Sequence, residues 1–158
     1  MKVKERFAAQ YSDKATVEQA VLEADLLIGT VLIPGARAPR LVSRNLVTKM
    51  KSGAAIVDVS VDQGGCIETS RPTTHSNPFF IEEGVIHCCI TNLPGTVPLT
   101  STQALSKASL PFGLELADKG LMRAVEENPA IAKGVNIIKG KVTCRQVCEA
   151  FGLTCEPV

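Results

Sequence analysis

The chain has 158 residues, 45% hydrophobic and 21% charged, which suits one ordinary domain or a domain with an appendage and excludes a disordered protein. A net charge of +1, with no basic stripe or aromatic stacking platform, argues against a nucleic-acid partner, and no window reaches the roughly 18 apolar residues of a membrane span. The opening Met-Lys-Val-Lys-Glu-Arg-Phe has basic residues but no apolar stretch behind them, so no secretory signal is expected and the cytoplasm is the default location.

Residues 5–11 read as a short strand ending at Ser12-Asp13. Thr16-Val-Glu-Gln19 fits a capping box, and Val17, Ala20, Val21 and Ala24 form the apolar stripe of a helix of about three turns. The continuous apolar run 26–33 predicts a strand covered on both faces, stopped by Pro34-Gly35. Ser43 caps the next helix, with Leu46, Val47 and Met50 inward and Gly53 at its C′ position.

A central strand over 54–61 follows, rich in β-branched residues, ending at Asp62-Gln63 and breaking on Gly64-Gly65. A loop from Arg71-Pro72 through Asn77-Pro78 then leads to a buried strand over 85–91, which stops at Asn92-Leu-Pro-Gly95. Strand alternating with helix is the rhythm of a parallel sheet with right-handed crossovers, so the strand ends near Val31, Asp62 and Asn92 are expected on one rim. Ligands of open α/β sheets bind beyond the carboxyl ends of the strands, which makes that rim the candidate site.

From Thr100 the pattern turns helical. Thr100-Ser-Thr-Gln103 is a second capping-box candidate, and Pro111 should kink or split the helix that runs to Gly120. A shorter helix is predicted at 121–127, another from Asn128-Pro129, a small hairpin at 136–142 turning on Lys139-Gly140, and a last helix from Thr143-Cys-Arg-Gln146 to Gly152.

Six cysteines could suggest a disulfide framework, but Cys88 and Cys89 sit in a strand and Cys144 and Cys148 lie four apart on a helix, without zinc-site spacing. All six are expected reduced, with Cys66 the most accessible. No metal site is expected. His87 reads as a satisfied core residue, His75 as a structural or partly exposed loop residue, and Asp58 as a buried structural carboxylate. No Gly-x-Gly-x-x-Gly turn is present, so as a free-standing dinucleotide-binding domain the chain would lack its pyrophosphate half.

Ala24-Asp-Leu-Leu-Ile-Gly-Thr-Val-Leu-Ile-Pro-Gly-Ala-Arg-Ala-Pro39, Ile56-Val-Asp-Val-Ser-Val-Asp-Gln-Gly-Gly-Cys66, Ser70-Arg-Pro-Thr-Thr-His75, Asn92-Leu-Pro-Gly-Thr-Val-Pro98 and Thr100-Ser-Thr-Gln-Ala-Leu105 together resemble alanine dehydrogenase. They resemble more loosely the nucleotide-binding α subunit of proton-translocating transhydrogenase. The resemblance implies an α/β fold: the second half of a Rossmann-type parallel sheet over residues 1–99, then a helical arm over 100–158 that belongs to the substrate domain.

It further implies NAD as cofactor, L-alanine and pyruvate plus ammonium as small-molecule substrates, and a homo-oligomer, usually a homohexamer. The N-terminal half of the enzyme, with its catalytic histidine, would be missing from this chain. By motif, Asp62 matches the active-site aspartate. Ser12, Val31, Leu32, Val59, Ser60, Val61, Asp62, Arg71, Ile90, Thr91, Asn92 and Leu93 match cofactor contacts, with Leu93 standing where Met is common. The alternatives are a non-catalytic fragment or subunit, and a transhydrogenase-like nucleotide-binding subunit. The plainer reading of the apolar positions is core, and of Arg71 a pin for its loop.

Overall fold

The computed structural model describes residues 8–156. It resolves into two compact units: the chain up to Leu32 with Ala38–Thr91, and Ile33–Arg37 with the chain from Asn92 onward.

The first unit is built on a four-stranded sheet, β1 (Leu26–Gly29), β2 (Ala55–Asp58), β3 (Phe79–Glu82) and β4 (Val85–Cys88), in the order β1-β2-β4-β3. β1, β2 and β4 run parallel, with Leu26 opposite Ala55 and Ala55 opposite Ile86; β3 is antiparallel to β4. The chain is therefore a mixed α/β protein with a mostly parallel sheet. Helices α1 (Lys14–Glu23) and α2 (Arg44–Val47) contribute Val21, Leu46 and Val47 to a core shared with Ile56, Ile67 and Val85.

Within the first unit, the described residues pack on one face of the sheet. Leu27, Gly29, Ile56, Asp58, Val85 and His87 alternate toward the core, whereas Leu26, Ile28, Phe79, Ile81 and Ile86 on the other face are exposed. The run 26–33 is thus not a strand buried on both sides, and its regular part ends at Gly29.

Several boundaries differ from the sequence reading, each for a local reason. The strand expected at 5–11 lies partly outside the described residues, and 8–11 are irregular. α1 is capped by Asp13, whose carboxylate accepts the Thr16 N–H at 2.8 Å while the Asp13 N–H donates to the Thr16 hydroxyl at 3.0 Å; Thr16 closes the box instead of opening it. Ser43 caps α2 as expected, but that helix is one turn long, so Gly53 (φ 80°) belongs to a separate turn before β2. The central strand stops at Asp58 because its side chain accepts the Ser60 N–H and starts a 3₁₀ turn, Val59–Gln63.

The segment Phe79–Glu82, to which the sequence reading assigns no element, is a strand. Glu83 and Gly84, at φ 54° and 75°, make the two-residue turn that returns the chain into β4.

In the second unit a 3₁₀ turn, Leu93–Thr96, leads into α3 (Pro98–Lys119). α3 starts with Pro98 at its first position, not at a Thr100 box, and it runs unbroken through Pro111. α4 (Leu121–Glu127) and α5 (Pro129–Gly134) follow as expected, the Asn128 side chain accepting the Ala130 N–H at 2.9 Å. β5 (Ile137–Ile138) and β6 (Lys141–Val142) turn on Lys139 and Gly140. Thr143 does not cap α6 (Arg145–Phe151); its hydroxyl donates to the Val135 carbonyl at 2.7 Å.

The cysteines are not all reduced. Past Gly152 the chain folds back, the Leu153 N–H donates to the Cys148 carbonyl, and Cys148 is bonded to Cys155. A left-handed helix end brings together two residues that sequence spacing alone does not suggest.

Candidate functional site

The parallel strands β1, β2 and β4 end on one edge of the sheet, and the residues that leave β1 and β2 meet there. The Ser60 hydroxyl donates to the Val31 carbonyl at 2.9 Å and ties the two strand ends together. Around that bond lies a cleft of about 260 Å³ lined by Thr30, Val31, Leu32, Val59, Ser60, Asp62 and Gln63. Leu32 and Val59 are 63% and 40% exposed, so apolar surface faces solvent beside a carboxylate.

Asp58 governs how this turn is held. It is 1% exposed, and its two oxygens accept three backbone N–H groups: Ser60 at 3.0 Å, Cys66 at 3.0 Å and Ile67 at 3.3 Å. Gly64 and Gly65 take φ 95° and 79°, which an L side chain rarely adopts. A Cβ on Gly65 would lie 2.8 Å from an Asp58 oxygen, and one on Gly29 2.5 Å from the Cys66 sulfur.

Cys66 itself is 2% exposed, against the accessible thiol expected from its glycine neighbours; burial and the nearby Asp58 charge push its thiol pKa up, so it stays protonated. The Arg40 guanidinium donates to the Ile67 carbonyl and pins the far side of the same loop.

The remaining expected positions lie elsewhere. Val61 is buried behind the turn. Ser12 lines a different cleft, of about 710 Å³, with Lys14, Arg40, Ser43 and Glu68. The Arg71 guanidinium lies 4.0 Å over the Phe80 ring. Ile90 bridges to Thr73, and the Thr91 N–H donates to the Thr73 carbonyl at 3.2 Å. Asn92 (φ 52°) and Leu93 start the second unit.

His87 is fully buried against Phe80, with Nδ1 3.0 Å from the Val85 carbonyl and Nε2 2.7 Å from the Thr69 hydroxyl, a satisfied core residue as read from the sequence. His75 is exposed. The cleft also includes Thr30 and Gln63, which the motif reading did not single out; their only signal was adjacency to Val31 and Asp62.

An exposed apolar wall, a carboxylate and a turn stand at the carboxyl ends of parallel strands, the place where open α/β sheets take ligands. The sequence matches, over residues 1–145, the family described as Alanine dehydrogenase/PNT, C-terminal domain, and the chain belongs to that family. It is 51% identical over 94% of its length to alanine dehydrogenase of Halomonas elongata and 47% identical over 94% to that of Mycobacterium tuberculosis, covering 40% of each. A solved L-alanine dehydrogenase matches with a TM-score of 0.76 at 47% identity, over 95% of this chain and 41% of that one. A transhydrogenase from Sinorhizobium meliloti matches with a TM-score of 0.56 at 31% identity, over 63% of this chain and 28% of the other. The chain thus spans about 40% of the length of the curated relatives it matches.

The residues of the cleft fit one end of a nicotinamide nucleotide. Leu32 and Val59 offer an apolar wall for a flat ring, and the Gln63 side-chain oxygen is buried without a hydrogen-bond partner among the described residues, an acceptor a ligand donor would satisfy. A pyrophosphate has no glycine-rich turn to sit on in this sequence.

Proposed function

We propose that this chain supplies the cofactor- and substrate-facing C-terminal segment of an NAD-dependent alanine dehydrogenase. The observation that carries the reading is the cleft that gathers Val31, Leu32, Val59, Ser60 and Asp62 at the carboxyl ends of β1 and β2. NAD, when bound, supplies the acceptor for the hydrogen removed from the α-carbon of L-alanine. Val31, Leu32 and Val59 give its ring an apolar support that excludes water, and Ser60 fixes the spacing of the two strand ends. Asp62 holds or moves a proton at the substrate edge through its carboxylate oxygens.

On this reading the chain through residue 99 forms the C-terminal half of the NAD domain, and 100–158 belong to the substrate domain. Ser12, Val61, Arg71, Ile90, Thr91, Asn92 and Leu93 complete the cofactor contacts, the enzyme is a homohexamer, and it works in the cytoplasm. The histidine acid-base and the pyrophosphate turn come from sequence outside this chain. Among the described residues no helix is long and apolar enough to cross a membrane. The 47% identity to an L-alanine dehydrogenase against 31% to the transhydrogenase favours alanine chemistry over nucleotide binding alone.

The test is alanine-dependent NAD reduction by the complete protein as its source makes it. We expect turnover, and about a 100-fold or greater fall in kcat for Asp62→Asn, the scale of a lost acid-base group. Undiminished turnover in that variant would remove Asp62 from the chemistry.

A further inference from the structure

Asp58 is a buried acid saturated with backbone donors. Those donors bracket the functional carboxylate: Ser60 lies two residues before Asp62, and Cys66 and Ile67 lie four and five after it. Only an acceptor with no hydrogens of its own can serve all three N–H groups at once, because an amide in the same place turns an NH₂ toward either Ser60 or the Cys66–Ile67 pair. The fit leaves no slack. The Cys66 sulfur lies 3.6 Å from one Asp58 oxygen, and the sites where Gly29 and Gly65 would carry a Cβ are closed by Cys66 and by Asp58 itself.

We propose that Asp58 is the positioning residue for Asp62. Its side chain clamps both ends of the 59–67 segment and so sets where the Asp62 carboxylate stands in the cleft. The inference rests on the reading that Asp62 acts in the reaction. Asp58 touches neither substrate nor cofactor; it works through the turn. The Ser60 hydroxyl on Val31 carries the same clamp across to the end of β1, so one buried acid fixes the spacing of both strand ends.

The experiment is a double-mutant cycle on the complete protein, read by kinetics and by amide hydrogen exchange. In Asp58→Asn we expect the 59–67 segment to exchange about tenfold or more faster while β4 keeps its protection, and kcat per folded molecule to fall about 10- to 100-fold. In an Asp62→Asn background the same change should cost almost nothing further, because the group being positioned is already gone. Wild-type kcat in folded Asp58→Asn overturns the proposal, as does a kcat loss without faster exchange of 59–67, or losses that add in full. If Asp58→Asn does not fold, Gly65→Ala presses a methyl against the Asp58 oxygen while keeping the acid, and is held to the same criteria. Full activity in Asp62→Asn alone would instead sink the reading on which this inference rests.

Discussion

His87 illustrates what a side chain in this sheet can and cannot do. Its Nδ1 can only donate to the Val85 carbonyl, so in the neutral ring Nε2 accepts from the Thr69 hydroxyl. Burial holds its pKa below the usual value of about 6.5. The unfolded chain therefore binds a proton that the folded chain refuses, and stability is lost as pH falls below about 6.5 toward the depressed folded pKa. We expect chemical-denaturation midpoints to drop between about pH 7 and pH 5, and the drop to shrink in His87→Gln. A pH-independent midpoint in the unaltered protein would contradict the buried neutral ring. Both Asp58 and His87 were legible as structural residues because each alternates with apolar neighbours on a strand. Cys66 was misread, since two preceding glycines suggest exposure and nothing local reveals the acid that folds over it.

At the scale of elements, the sequence was most legible where one residue controls an end. Asn128-Pro129, Lys139-Gly140 and Gly152 all act where their chemistry put them. It was least legible where two residues compete for one role: Asp13 took the cap expected of Thr16, and Pro98 opened the helix expected from Thr100. The β3–β4 hairpin was missed because Glu83 adopts a positive φ without a sequence mark beyond the following glycine.

Asn128 does more than cap α5, for its amide also donates to Glu115 of α3 at 2.7 Å. Asn128→Ala should destabilise the protein by about 1–2 kcal/mol, the scale of a lost cap, measured by denaturant unfolding. Asn128→Asp, which keeps the cap and loses the donor toward a carboxylate, should recover only part of that. Full stability in Asn128→Ala would show that α5 is held by its packing alone.

The whole chain divides into two compact units, and the expected cofactor positions divide with it. Ser60, Asp62 and the ends of β1 and β2 form one cleft, whereas Asn92 and Leu93 belong to the second unit. The rim was readable because parallel strands must end on one edge. The clamp beneath it was not, because it depends on a carboxylate meeting backbone groups eight and nine residues further on. Motif resemblance pointed to Asp62 without saying what holds the turn around it. The most direct measurement is a crystal structure of the complete protein with NADH bound. The account predicts the nicotinamide ring against Leu32 and Val59, with Asp62 at its edge and the Ser60–Val31 hydrogen bond intact. A ring seated away from the ends of β1 and β2 would contradict it.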